Sequence, residues 1–118
     1  MNSYLALVTG AVLGASLRYL FYSLQFNYLS IPLSTTLVNV IGSSLAGFFL
    51  NKFEGQFYIF LYLGLFGSFT TLSAFNVELY SLISNQSFLK ALIYFVLNIF
   101  TSFIFFYIFY LLSLKIAH

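Results

Sequence analysis

The chain has 118 residues, 62% of them hydrophobic and 5% charged, whereas roughly a quarter of the residues of a soluble domain are charged. Four Lys and Arg against two Asp and Glu leave a net charge of +2, too little for the basic stripe that neutralises a run of phosphates, so nucleic acid is excluded as a partner. There is no Cys, which removes disulfides, thiolate metal sites and cysteine nucleophiles, and the lone His118 has no second imidazole or carboxylate cluster with which to hold a metal.

Crossing a hydrocarbon core about 30 Å thick takes about 20 apolar residues in a helix. Segments of that kind cover about 4–24, 32–50, 57–83 and 88–114, so the sequence predicts an all-α membrane protein: a single domain, residues 1–118, of four transmembrane helices. A cleaved signal peptide opens with a basic region, and Met1 to Tyr4 carries no positive side chain, so the first segment is expected to stay in the mature protein. The short links force successive helices to be antiparallel neighbours. Lys52 and Lys115 then share one side and Arg18 and Lys90 the other. This near balance under the positive-inside rule barely specifies an orientation, as expected of a chain that inserts both ways. Polar groups inside a thin bundle must face protein or water, which favours a homo-oligomer.

In the first helix Gly10 and Gly14 form a GxxxG pair that allows another helix to come close. Arg18 near its end, with Tyr19 and Tyr22, either snorkels to the interface or forms an electropositive vestibule. Pro32 after Ser30 suits the start of the second helix. There Asn39, Ser43 and Gly47 are spaced four apart on one face, and so are Thr35 and Asn39. An unpartnered amide is costly in lipid, which makes Asn39 a candidate pore-lining donor.

The third helix reads Gly64-Leu65-Phe66-Gly67-Ser68-Phe69-Thr70-Thr71-Leu72-Ser73-Ala74-Phe75-Asn76-Val77-Glu78. Two glycines followed by two β-branched hydroxyl residues make a poor helix centre, so a break at the membrane midplane is predicted. Non-helical backbone at that depth must be buried in protein or line a cavity, where freed carbonyls suit a hard cation and freed N–H groups an anion. Glu78 is expected to approach the interface and to pair with Arg18 or Lys90. In the fourth helix Tyr94, Asn98 and Ser102, with Thr101 adjacent, form one polar track on a Phe- and Ile-rich surface. No segment offers a nucleophile with its base, a phosphate-cradling loop or paired carboxylates, so the chain is not read as an enzyme.

Three stretches carry a family resemblance. Gly10 to Tyr19, Thr36 to Ser43, and Gly64 to Phe75 with its GxxGxxTTxSxF pattern resemble, in order, the first three helix signatures of the Fluc/CrcB fluoride channels. The resemblance implies a dual-topology, antiparallel homodimer in the inner (plasma) membrane that exports fluoride passively through a pore on each side. It implies a structural Na⁺ at the dimer centre, held by main-chain carbonyls of Gly67 and Thr70. Asn39 would donate to the ion and Phe75 present its ring edge, the positive end of the ring quadrupole. Thr71, Leu72 and Ser73 would belong to the pore, Arg18 to the vestibule, and Tyr94, Asn98 and Ser102 to the polar track. Two positions depart from the family pattern: Leu72 stands in place of a Phe, and Asn98 where a smaller hydroxyl residue is expected. A four-helix multidrug exporter, which needs a membrane-embedded carboxylate such as Glu78, and a packing or heterodimeric subunit are the alternatives.

Overall fold

The computed structural model describes residues 2–116; Met1 and His118, on which expectations about a signal peptide and a metal were placed, lie outside the described residues. Helix α1 (Ser3–Leu24) starts under the Asn2 side chain, whose oxygen accepts from Leu5 N at 2.8 Å, and ends where Gln25 turns left-handed at φ 51°. A two-residue antiparallel pairing, β1 (Asn27–Tyr28) with β2 (Ile31–Pro32), then precedes α2 (Ser34–Phe48). Beyond the second loop come α3 (Gly55–Tyr58), a π-helical stretch (Ile59–Phe66), α4 (Gly67–Phe69), α5 (Ser73–Ser84) and α6 (Phe88–Ile116).

The chain is a multi-pass membrane protein by its helices: Ser3–Leu24, the run Gly55–Ser84 and Phe88–Ile116 are long and apolar enough to cross a bilayer. Those are three of the four predicted spans. The second was expected over about 32–50, yet α2 has 15 residues, a rise of about 22 Å at about 1.5 Å per residue. It starts later than Pro32 suggested because that residue is taken into the strand pairing with Asn27. Leu33 N donates to Phe26 O at 2.8 Å, and Ser34 Oγ bridges back to the end of α1, donating to Phe21 O at 3.3 Å and accepting from Phe26 N at 3.2 Å. The backbone is therefore satisfied by a turn before the helix begins.

Burial is inverted relative to a water-soluble protein. The buried set includes Thr35, Thr36, Ser44, Asn98 and Ser113, while Phe100, Phe103, Leu92 and Leu63 are more than half exposed. Apolar surface turned outward and hydrogen-bonded polar groups turned inward is the arrangement a lipid solvent selects.

Small residues set the helix spacing. A Cβ on Gly10 would meet the Phe60 carbonyl oxygen, and one on Gly14 that of Leu65, so α1 lies backbone to backbone along the π-helical stretch. A Cβ on Gly47 would likewise meet the Phe106 carbonyl, which brings α2 onto α6. Two close-packed helix pairs result, α1 with the third run and α2 with α6, in a body of 48 × 33 × 20 Å. They meet where the third run leaves the helix: α4 ends at Phe69, Thr70 is extended at φ −83°, ψ 159°, and α5 begins at Ser73.

Candidate functional site

At Thr70 the i to i−4 ladder stops after Thr70 N donates to Phe66 O at 3.1 Å. Asn39, on the facing side of α2, takes over both polar groups of the next residue: its Oδ1 accepts from Thr71 N at 2.8 Å and its Nδ2 donates to Thr71 O at 3.1 Å. The amide thus replaces two missing helical hydrogen bonds, which is why an Asn is tolerated among apolar neighbours. Thr71 restarts the helix, its Oγ1 accepting from Ala74 N at 3.2 Å in the manner of an N-cap. The same hydroxyl lies 3.2 Å from Ser73 Oγ.

The polar track of α6 faces this region. Asn98, 3% exposed, donates from Nδ2 to Thr36 Oγ1 at 2.8 Å and to Tyr94 O at 3.1 Å, and its Oδ1 accepts from Asn39 Nδ2 at 3.0 Å. Two asparagines 59 positions apart in sequence therefore form one ladder from α6 through α2 to the interrupted backbone. Ser102, one turn further along, differs: its Oγ is buried and has no partner among the described residues.

Asn39, Thr70, Thr71, Leu72, Asn98 and Ser102 line one open cleft of about 530 Å³, together with Ser43 and apolar residues of α6. Leu72 is 66% exposed at its edge. A second recess of about 210 Å³ holds Gly67 and shares Thr70 and Ser43 with the first. Phe75 and Tyr94 sit behind the cleft, buried and stacked at 5.4 Å between ring centroids with planes 21° apart.

Glu78 does not pair as the sequence suggested. Neither Arg18 nor Lys90 holds the carboxylate: Tyr94 OH donates to Glu78 Oε2, and Thr35 Oγ1 donates to Oε1 at 3.0 Å while lying 2.7 Å from Tyr22 OH. With the Thr35 proton directed to Glu78, Tyr22 must be the donor to Thr35. Arg18 is drawn elsewhere, its Nε donating to Ser68 O at 2.9 Å, a carbonyl exposed because no fourth-following N–H continues the helix. The break thus decides the partner of Arg18, and two hydroxyls, those of Tyr94 and Thr35, take its place at Glu78, with Tyr22 behind Thr35.

Of the residues singled out from sequence, Gly67, Phe75, Tyr94, Ser73 and Arg18 do not line this cleft. Thr36 and Thr35, which no site role singled out from sequence, bond to Asn98 and Glu78 respectively. Their signal was present in the spacing, since Thr36 precedes Asn39 by three and Thr35 by four on a helix.

Residues 5–110 match the family described as CrcB-like protein, Camphor Resistance (CrcB). A protein named fluoride-specific ion channel FluC from Sulfurihydrogenibium sp. (strain YO3AOP1) is 35% identical over 112 residues, covering 88% of this chain and 90% of that one. A protein of the same name from Thermosipho melanesiensis is 36% identical over 109 residues, 85% of this chain and 86% of the relative. Another, from Legionella pneumophila (strain Lens), is 45% identical over 83 residues, covering 64% and 62% respectively.

Proposed function

The chain belongs to the CrcB family, and from that premise we propose that it is a fluoride-selective ion channel of the cell's inner (plasma) membrane, passing fluoride passively out of the cytoplasm. The observation that carries this reading is the match of almost the whole chain to proteins named as fluoride-specific channels. The chemistry of the cleft supports it. Fluoride is small and strongly hydrated, so a selective path must replace its water with close donors in a narrow space. Ser43, Thr71 and Ser102 supply hydroxyls there, and Asn39 and Asn98 supply amides whose protons are shared within the protein until an ion displaces an acceptor, without a fixed cation to trap the ion. Phe75, a turn beyond the break, is the aromatic edge next to this path.

The working unit is a dual-topology antiparallel homodimer with four spans per chain. Its second span is α2 extended by the strand pairing before it, and its third is broken at the membrane midplane. The near balance of Lys and Arg between the two sides supports insertion in both orientations. A cleft open on one side and a long α6 with mostly apolar, exposed surface support a second copy as the missing wall.

The same reading includes a structural Na⁺ at the dimer centre. Thr71 N, the helical partner of the Gly67 carbonyl, is taken by Asn39, and no loop or cap hydrogen bond reaches the carbonyl of Gly67 or Thr70 among the described residues; unwound main-chain carbonyls are the ligands such an ion takes in membrane proteins. The residues present therefore fit the ion. When bound, it would supply positive charge between the two breaks, while Asn39 and Thr71 hold the adjoining backbone in place.

The test is fluoride efflux from liposomes containing the purified chain alone, with chloride as the comparison ion. Fast fluoride efflux without chloride leak, abolished by Phe75→Ile, is expected. Glu78→Gln should reduce it far less than Phe75→Ile, because a passive path needs no proton-exchanging carboxylate, whereas a proton-coupled exporter would stop. No efflux from folded protein would overturn the homodimeric channel and turn attention to a second, unlike subunit, a role that Leu72 in place of an aromatic residue would fit.

A further inference from the structure

The two asparagines of the cleft hold each other, and backbone groups fix the direction of both amides. Thr71 N–H can only donate, so Asn39 Oδ1 must face it, at 2.8 Å. Tyr94 O can only accept, so Asn98 Nδ2 must face it, at 3.1 Å, which turns Asn98 Oδ1 toward Asn39.

Counting protons closes the set. Asn39 has two amide protons, one on Thr71 O at 3.1 Å and one on Asn98 Oδ1 at 3.0 Å. Asn98 has two, on Thr36 Oγ1 at 2.8 Å and on Tyr94 O at 3.1 Å. Neither side chain has a free donor. An anion entering the cleft meets Asn39 only by displacing one acceptor. Thr71 O belongs to a main chain that Asn39 itself stabilises, whereas Asn98 Oδ1 sits on a side chain that can turn.

We propose that Asn98 is a positioning residue that acts through Asn39: it holds the second amide proton of Asn39 and so limits the rate at which fluoride passes. This rests on the channel reading above. The length of the Asn side chain makes the contact. A serine at this position is one bond shorter, and its hydroxyl would turn back to Tyr94 O, the i−4 carbonyl to which helical serines commonly donate. The Asn39 proton would then face the cleft uncommitted.

The experiment compares initial fluoride efflux per channel for the native chain, Asn98→Ser and Thr36→Val in liposomes, with thermal unfolding of each in detergent. Asn98→Ser is expected to be about fivefold faster than native, the factor a hydrogen bond of ordinary net strength is worth. Thr36→Val removes the anchor of Asn98 Nδ2 while leaving both asparagines in place, and it should be about twofold faster by the same reasoning. A faster channel that unfolds at lower temperature supports the proposal, because a merely structural residue would lose both flux and stability. A conducting native chain whose Asn98→Ser variant is no faster overturns this inference alone. Should Asn98→Ser fail to fold, Thr36→Val decides, unchanged or slower efflux overturning the proposal. No efflux from any of the three proteins defeats the channel reading and this inference with it.

Discussion

Truncating Asn39 to Ala should destabilise the protein far more than truncating Asn98, although both amides belong to the same ladder and Asn98 is the more deeply buried. Asn39 makes three hydrogen bonds, two of them to the main chain of Thr71 where the helix is interrupted. Asn39→Ala leaves the N–H and C=O of Thr71 without partners, at about 1 to 3 kcal/mol each, and strips Asn98 Oδ1 of its donor. The side chain to side chain bond adds little, since such bonds average about 0.6 kcal/mol within membranes. The total expected is about 3 to 7 kcal/mol, set mainly by the backbone. Asn98→Ala removes bonds to Thr36 Oγ1, Tyr94 O and Asn39. None of these leaves an orphaned peptide group, because Tyr94 O lies within the regular ladder of α6, so about 1 to 2 kcal/mol is expected. Unfolding by SDS titration from a mild detergent, followed by circular dichroism, measures both. Asn98→Ala costing as much as Asn39→Ala, or Asn39→Ala falling within about 1 kcal/mol of native, would refute the claim that Asn39 substitutes for missing helical hydrogen bonds.

Two further substitutions probe the helix spacing and the edge of the cleft. Gly14→Val places a Cβ against the Leu65 carbonyl, a backbone atom that no rotamer moves; a loss of about 2 kcal/mol or more is expected in the same titration, and a native-like midpoint would show that α1 need not lie against the third run. Leu72→Phe, at a side chain 66% exposed on the cleft, should change stability by no more than about 0.5 kcal/mol while raising fluoride efflux, because it restores a ring edge beside the path. Unchanged efflux from the folded variant would mean that this position does not face the ion.

Composition and local spacing determined that lipid is the solvent, because a chain with 5% charged residues has too few to cover a water-facing surface. Three long apolar segments and the close approach allowed by Gly10 and Gly14 were legible for the same local reason, helix length and side-chain size being properties of short stretches. The family resemblance was equally local, carried by runs of about ten residues within single helices. Partnerships were not legible, because they join residues far apart in the chain. The strand pairing that takes Pro32 and delays α2, the capture of Arg18 by Ser68 O, and the seating of Glu78 among Thr35 and Tyr94 each depend on how helices cross. The sequence marked Asn39 and Asn98 as polar residues needing partners. Only the packing of α2 on α6 decided that each would be the other's partner, and hence which donors in the cleft are committed and which, such as Ser102, have no partner among the described residues.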